Sequence, residues 1–332
     1  FYKEDFELDS NNNLIGLDNC VIDLKCKIGD KTEIMIRKKK PEDFIELSTG
    51  YKLPINDHDL PISFDEFKLR YLTCNDIYEL DDFIHKILPI EDDREYTLRY
   101  LSSCLSGEIF DQKFHIWIGS GGNGKSVLLK LVQHTLGAYS MNKGSYLLES
   151  NKLKSNKLKE INNSRFISIL EPHKSIIKDN LKKLIDSNKI MMMCNELPKI
   201  SDLDSNIVRH IEVVEFPSKF VENPRPTMNN PYEYLIDKKL DSKIESWKIL
   251  FLLKLLEYYK KFIEEGTKAP PSVTEYSEIY ILEKGPIQYW IKKDLVECDE
   301  PKSLNTLHNT FNAWCDNKNI NSRNFNKKEI KK

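Results

Sequence analysis

No apolar run in the sequence approaches the roughly eighteen residues of a membrane span, and its start lacks the charged-then-apolar order of a signal peptide. The seven cysteines, Cys20, Cys26, Cys74, Cys104, Cys194, Cys298 and Cys315, are odd in number and scattered, with no Cys-x-x-Cys pair. That pattern argues against a disulfide framework and a zinc site, and it implies a reducing compartment inside a cell. Charge of one sign is missing as well: 50 Lys and Arg stand against 52 Asp and Glu, a formal net of -2. A nucleic-acid partner therefore has to be argued from local patches, not from the whole chain. There is no initiating methionine before Phe1, which reads as a fragment or the ordered part of something longer.

The 332 residues are 40% hydrophobic, enough to bury a sizeable core and to suggest about two domains of roughly 150 residues each. The chain is organised around Phe114-His115-Ile116-Trp117-Ile118, a run of strand length. Gly119-Ser120-Gly121-Gly122-Asn123-Gly124-Lys125-Ser126 follows it, and an apolar-periodic stretch opens at Val127. Strand, glycine-rich turn and helix are the context a phosphate-binding loop requires. Glycines at 119, 121, 122 and 124 let backbone amides close around phosphate oxygens, and the helix start aims its positive dipole end at the same anion. On this reading Gly119 to Val127 cradle ATP, Lys125 reaches its β and γ phosphates, and Ser126 offers a hydroxyl to Mg²⁺.

Residues 1 to about 65 read as short strands and turns, with apolar stretches at Leu14–Leu17, Cys20–Leu24 and Glu33–Ile36. Arg37-Lys38-Lys39-Lys40 is either a solvated turn or a nucleic-acid contact. From 66 to 110 the pattern turns helical, with core stripes at Leu80, Phe83, Ile84 and Ile87 and at Tyr96, Leu98, Leu101 and Leu105. Residues 141 to 164 are rich in Lys and Asn, a loop near DNA or a solvated surface.

Two further buried-type strands follow. Arg165–Leu170 ends in Glu171-Pro172, and an acid at a strand's carboxyl end can orient the attacking water and hold hydrated Mg²⁺. Ile190–Cys194 ends in Asn195, which can sense the γ phosphate. Arg209, before the run Ile211–Phe216, is either a solvated strand-edge residue or a finger that neutralises the γ phosphate of a neighbouring subunit. Lys174, Lys178, Lys182 and Lys183 are candidates for DNA backbone contacts, or the outer face of an amphipathic helix whose inner face holds Ile176, Ile177, Leu181, Leu184 and Ile185.

Gly-Gly-Asn-Gly-Lys-Ser, the Glu171-Pro172 strand end, Cys-Asn-Glu-Leu-Pro at 194–198, Arg209-His210-Ile211 and the exit Phe216-Pro217-Ser218-Lys219-Phe220 together resemble a superfamily 3 helicase of the primase-helicase type of large DNA viruses. The resemblance runs from about Leu14 to Phe220 and takes in Lys40 to Tyr51. It implies an α/β fold with an AAA+ type P-loop core over 111–225, behind a β-rich collar over 1–65 and a helical linker over 66–110. A helical region over 226–332 follows, ending in a basic tail that is either a winged-helix-like module or a solvated terminus. It also implies ATP hydrolysis coupled to 3′–5′ unwinding of single-stranded or forked DNA by a ring of about six subunits, in host cytoplasm or at a viral replication site. Lys125, Glu171, Asn195 and Arg209 would be the catalytic residues, and Ser126 with Glu171 would hold the metal. Replication polymerase and processivity factors would be partners, and a priming domain, where one exists, would precede Phe1. Two departures stand out: only Pro172 to Lys189 fills the space where the family carries a longer insert with a basic pore hairpin, and His210 stands where many relatives have a second arginine. The alternatives are a nucleotide-switched DNA-binding initiator and a small-molecule kinase.

Overall fold

In the computed structural model, residues 8–29, 31–71, 75–149, 161, 164–170, 175–201, 205–295 and 302–318 are described. The alternating apolar residues of the N-terminal region become an antiparallel sheet of β1 (Leu14–Gly16), β2 (Val21–Ile28), β3 (Lys31–Arg37) and β4 (Ile62–Ser63), in that order. Its register lines up Ile15, Ile22, Ile36 and Ile62, one per strand, each at most 2% exposed. Such cross-strand β-branched neighbours fix a register, because a one-residue slip would turn the row to solvent. Arg37 is held by Asp43 at 2.8 Å and Asp23 at 3.5 Å, while Lys38 to Lys40 are exposed, the arrangement of a solvated turn.

Helices α1 (Phe64–Tyr71), α2 (Asn75–Ile87) and α3 (Glu91–Ser103) follow, and the two predicted apolar stripes are buried. A second sheet then forms from β5 (Phe114–Ile118), β6 (Ser140–Lys143), β7 (Phe166–Leu170), β8 (Ile190–Cys194) and β9 (Ile211–Glu215). All its pairings are parallel, in the order β6-β7-β8-β5-β9. Between these strands lie α4 (Lys125–Leu136), α5 (Tyr146–Glu149), α6 (Lys178–Ile185) and α7 (Ser205–Val208). The protein is thus a mixed α/β fold with a parallel sheet covered by helices.

A parallel sheet must bury both faces, and the strands divide their residues accordingly. Trp117, Phe166, Met191 and Val214 join one apolar cluster with α2, α3, α4 and the N-terminal sheet. Ile116, Ile167, Ile169, Met192 and Val213 join another with Leu181, Leu184 and Ile185 of α6. The N-terminal sheet and the parallel sheet therefore share one continuous core.

After a short parallel pair, β10 (Lys219–Val221) and β11 (Glu233–Leu235), the chain is helical: α8 (Leu240–Glu265), α9 (Pro271–Lys284), α10 (Pro286–Asp294) and α11 (Leu304–Asn317). Gly266 ends α8 at a positive φ of 69°, its N–H donating to Phe262 O, and Pro271 stands in the first turn of α9. A new helix thus begins at Pro271, and the helical run is broken at Gly285. α10 and α11 share a small core of Ile287, Trp290, Phe311 and Cys315, and no strand accompanies them among the described residues. The basic tail from Arg323 lies outside those residues, as do Lys152 to Lys159, Cys74 and Cys298. Among the described residues no helix is long and apolar enough to cross a membrane, and no group of His, Cys, Asp or Glu is arranged to hold a metal.

Candidate functional site

Register decides which strand ends meet. Ile118 of β5 stands opposite Cys194 of β8 and Glu215 of β9, and Met193 stands opposite Leu170 of β7. Four strands therefore finish at one edge, the carboxyl edge at which open α/β sheets bind ligands. β8 lies between β5 and β7, so Gly119 and Asn195 leave neighbouring strands side by side, about 4.8 Å apart by strand spacing. Asn195 is exposed there. The Ser126 hydroxyl lies 3.8 Å from Met193 Sδ, which brings the first turn of α4 to the same tip. Loop, Ser126 and Asn195 thus converge, and Leu170 ends at the same edge; Glu171, next in sequence, lies outside the described residues.

The glycine loop is closed by its own contacts. Ser120, Gly121 and Gly122 form an exposed lip, while Asn123 and Lys125 are 3% and 4% exposed. Lys125 Nζ donates to Gly119 O at 2.6 Å and to Asn123 Oδ1 at 3.2 Å, which places the ammonium inside the loop. Asn123 Nδ2 in turn donates to Phe216 O at 3.3 Å. Gly124, at φ +85, caps α4 without a side-chain acceptor of its own, and the Lys125 N–H donates to Asn123 Oδ1 at 3.4 Å. A Cβ at Gly119 would stand 2.6 Å from Phe216 O, whereas at Gly121 nothing lies within 4 Å. A cradle that added carbon would fill, with a lysine inside it and a helix start beneath it, fits a phosphate group. Val127 is half-buried, and its N–H is already bonded to Gly124 O.

The contacts that hold this loop come from residues to which sequence reasoning gave no such role. The exit from β9 runs beneath it, with Phe216 N donating to Ile118 O and Phe220 N to Gly122 O, each at 2.8 Å. The Phe216 ring packs on Trp117 at 5.2 Å, and Ile87 of α2 fills the space beside Gly124. Within the sequence, the Phe216–Phe220 pattern carried only a resemblance and Ile87 only a core stripe.

Arg209 sits elsewhere. It precedes β9, whose first residue stands opposite Phe114, so it lies at the amino edge of the sheet, a strand length of about 13 Å or more from its own loop. It is exposed, with Nε 3.1 Å from His210 Nε2. His210 is 8% exposed, its Nδ1 on Gln112 O and its carbonyl accepting from Phe114 N, which anchors the start of β5. The residue in place of a second arginine is thus built into the sheet edge. Lys182 and Lys183 lie on the exposed face of α6 and Lys178 is half-buried at its start, while Leu181, Leu184 and Ile185 face the core; Lys174 lies outside the described residues. From 175 to 189 the described chain is a bridge to Ile200 and a helix.

Near the amino end of β5, His115 is buried against Tyr100, ring centroids 3.4 Å apart. Burial, with a smaller contribution from Lys113, holds the imidazole down at about 3. Beside it Lys113 pairs with Glu212 at 2.5 Å.

A mixed α/β protein with a glycine-rich loop and a strand-tip asparagine at one sheet edge is the class that fold and site define. No family model matches the chain. It is 30% identical over 341 aligned residues to Putative helicase L207/L206 of Acanthamoeba polyphaga mimivirus, covering 92% of this chain and 33% of that protein. Primase D5 of Fowlpox virus is 26% identical over 246 residues, covering 65% and 30%. Putative helicase 121R of Invertebrate iridescent virus 3 is 25% identical over 252 residues, covering 67% and 24%. The chain is similar to these helicase and primase proteins of large DNA viruses, and it spans about a quarter to a third of the relatives' length. Among solved structures, the apo C-terminal region of NrS-1 aligns over 66% of this chain and 58% of that one, at 14% identity and a TM-score of 0.40, a likeness too loose to carry an assignment.

Proposed function

We propose that the chain is the motor part of a viral replication helicase, a P-loop ATPase of the superfamily 3, AAA+ type that couples ATP hydrolysis to movement along DNA as a ring of about six subunits. The observation that carries this reading is the meeting of Gly119–Ser126 with Asn195 at the carboxyl edge, while Arg209 stands exposed at the opposite edge. An arginine that cannot reach its own loop suits a finger offered to the next subunit. The helicase and primase names of the relatives support the replication role.

In this reading the amides of Gly121 to Ser126 and the start of α4 bind the phosphates. Lys125 leaves its loop acceptors for the β and γ oxygens, and Asn195 reads the γ position. Glu171 orients the attacking water, and Ser126 with Glu171 would hold Mg²⁺. When bound, that ion supplies charge to the bridging phosphate oxygens. The direction of travel would be 3′–5′, as the family resemblance implies.

The test is ATP turnover with and without single-stranded DNA, measured beside displacement of a labelled strand from a forked duplex. The proposal expects DNA-stimulated turnover and ATP-dependent displacement, both lost in Lys125→Ala. Turnover with no DNA response would point to a clamp-like initiator, and phosphate transfer to a small acceptor would point to a kinase.

A further inference from the structure

Arg165 and Lys189 stand directly before β7 and β8, two adjacent strands, at the sheet edge opposite the glycine loop. Starts of parallel strands under a second layer are places for apolar residues, yet both are cations, 6% and 5% exposed. Arg165 donates to Leu105 O and, at 2.6 Å, to Leu14 O, and its guanidinium lies 4.3 Å over the Tyr139 ring. Lys189 Nζ donates to Ser106 O at 2.7 Å. Every one of these oxygen acceptors is a neutral carbonyl.

The acids nearby are engaged elsewhere. Asp9 Oδ1 accepts from the amides of Glu46 and Leu47 at 3.0 Å each, and Glu108 is taken by Lys25 at 2.7 Å and Asn13 at 3.1 Å. Neither cation has a carboxylate within ion-pair distance among the described residues. Buried cations without a counter-charge are costly, and two facing one space also repel each other. Burial holds both side chains below their usual range, Lys189 to about 8, with the Arg165 charge adding to the effect.

Both line a cavity of about 370 Å³ bordered by the segment before β1 and the turn after α3, whose wall also carries Ser10, Asn12, Ser164 and Ser187. Asp9 is the acid in that wall, held by its backbone bonds. A planar guanidinium, an ammonium and hydroxyls around a space of this size match a tetrahedral oxyanion with something attached.

We infer that this cavity is an anion site that takes a phosphate group, held by Arg165 and Lys189. Inorganic phosphate and the phosphate of a mononucleotide share the required chemistry. The site is a strand length from the glycine loop and stands whether or not that loop binds ATP. Because Arg165 and Lys189 also hold β1 and the turn after α3, occupancy would stabilise the joint between the N-terminal sheet and the parallel sheet.

The test uses the full chain carrying Lys125→Ala, so that the glycine loop contributes little. Inorganic phosphate and adenosine monophosphate are titrated separately at fixed ionic strength against chloride, by calorimetry and thermal midpoint. Saturable binding is expected, and adding Lys189→Met should weaken it tenfold or more. Asn12→Asp, nearly isosteric and on the exposed rim, should weaken it similarly with the fold retained, which covers a Lys189 variant that does not fold. Tighter binding of one probe assigns that source, and either supports the site. The inference is overturned if neither probe saturates, if chloride does as well, or if folded Lys189→Met and Asn12→Asp both bind like the parent.

Discussion

Ile87 Cγ2 occupies the position that a Cβ on Gly124 would need, so a helix of the N-terminal half presses directly on the last glycine of the phosphate loop. Gly124 also holds φ +85, where any other residue pays a steric cost. Gly124→Ala should therefore destabilise the protein by about 2–3 kcal/mol and lower nucleotide affinity, combining backbone strain with displacement of Ile87. Urea unfolding and a nucleotide titration would read the two effects separately. A stable variant that binds normally would show that the loop does not need this geometry.

Arg209 is exposed and bonded chiefly to its neighbour His210, so Arg209→Ala should change stability by no more than about 0.5 kcal/mol. As a finger acting in trans it would still cost about a thousandfold in ATP turnover. Mixing Arg209→Ala with inactive Lys125→Ala should restore some activity at interfaces that pair an intact loop with an intact finger, and the recovery should depend on concentration. Inactive mixtures of subunits that demonstrably co-assemble would count against the finger, unless a dose series with wild-type subunits shows that one defective interface silences the ring.

Lys182 and Lys183 project from a helix whose other side is core. If they meet DNA, Lys182→Gln with Lys183→Gln should reduce the salt dependence of binding by about one counterion for each phosphate left without its lysine. An unchanged slope in a salt titration would leave them as the solvated face of an amphipathic helix.

His115 predicts a pH response. Its imidazole is held at about 3 by burial, against an ordinary 6.5, so the unfolded chain binds one more proton between those values. The stabilisation is present above pH 6.5 and is lost as pH falls toward 3, at about 1.4 kcal/mol per unit, or about 2 kcal/mol from pH 7 to pH 5. Urea midpoints across that range should show the loss, and His115→Leu should remove that part of the slope. An equal slope in the variant would assign the proton to another group.

The loop, the strands on either side of it and the helical stripes were legible because each is a local pattern: glycines between an apolar run and a 3.6-residue period, or a short apolar run ending in a polar tip. β4 was not read as a strand, because two residues leave no periodicity to find. Strand order was equally hidden, since the insertion of β8 between β5 and β7 depends on pairings far apart in sequence. Arg165 and Lys189 are the clearest case. Charged residues at strand starts read as surface, and the carbonyl that receives one guanidinium arm of Arg165 belongs to Leu14, 151 positions away.

The long helix α8 bears on where this piece of chain can be cut. It packs along α4 and along α3, and its Trp247, Phe251, Leu255 and Phe262 lie in the same cluster as Ile22, Leu101, Trp117 and Leu128. Polar clasps accompany the packing: Lys130 to Asp241 at 2.9 Å, Lys254 to Asp81 at 2.7 Å, and Thr135 Oγ1 to Lys248 O at 3.3 Å. All the recognisable motifs end by Phe220, so a shortened gene product stopping there would keep every signature and strip away the wall against which the loop helix rests. The smallest portable unit of this protein is therefore longer than its signature, and it runs past Gly266 through α9, whose Tyr280 and Ile281 share a core cluster with Val213 of β9 and whose Ser277 hydroxyl accepts from Val213 N.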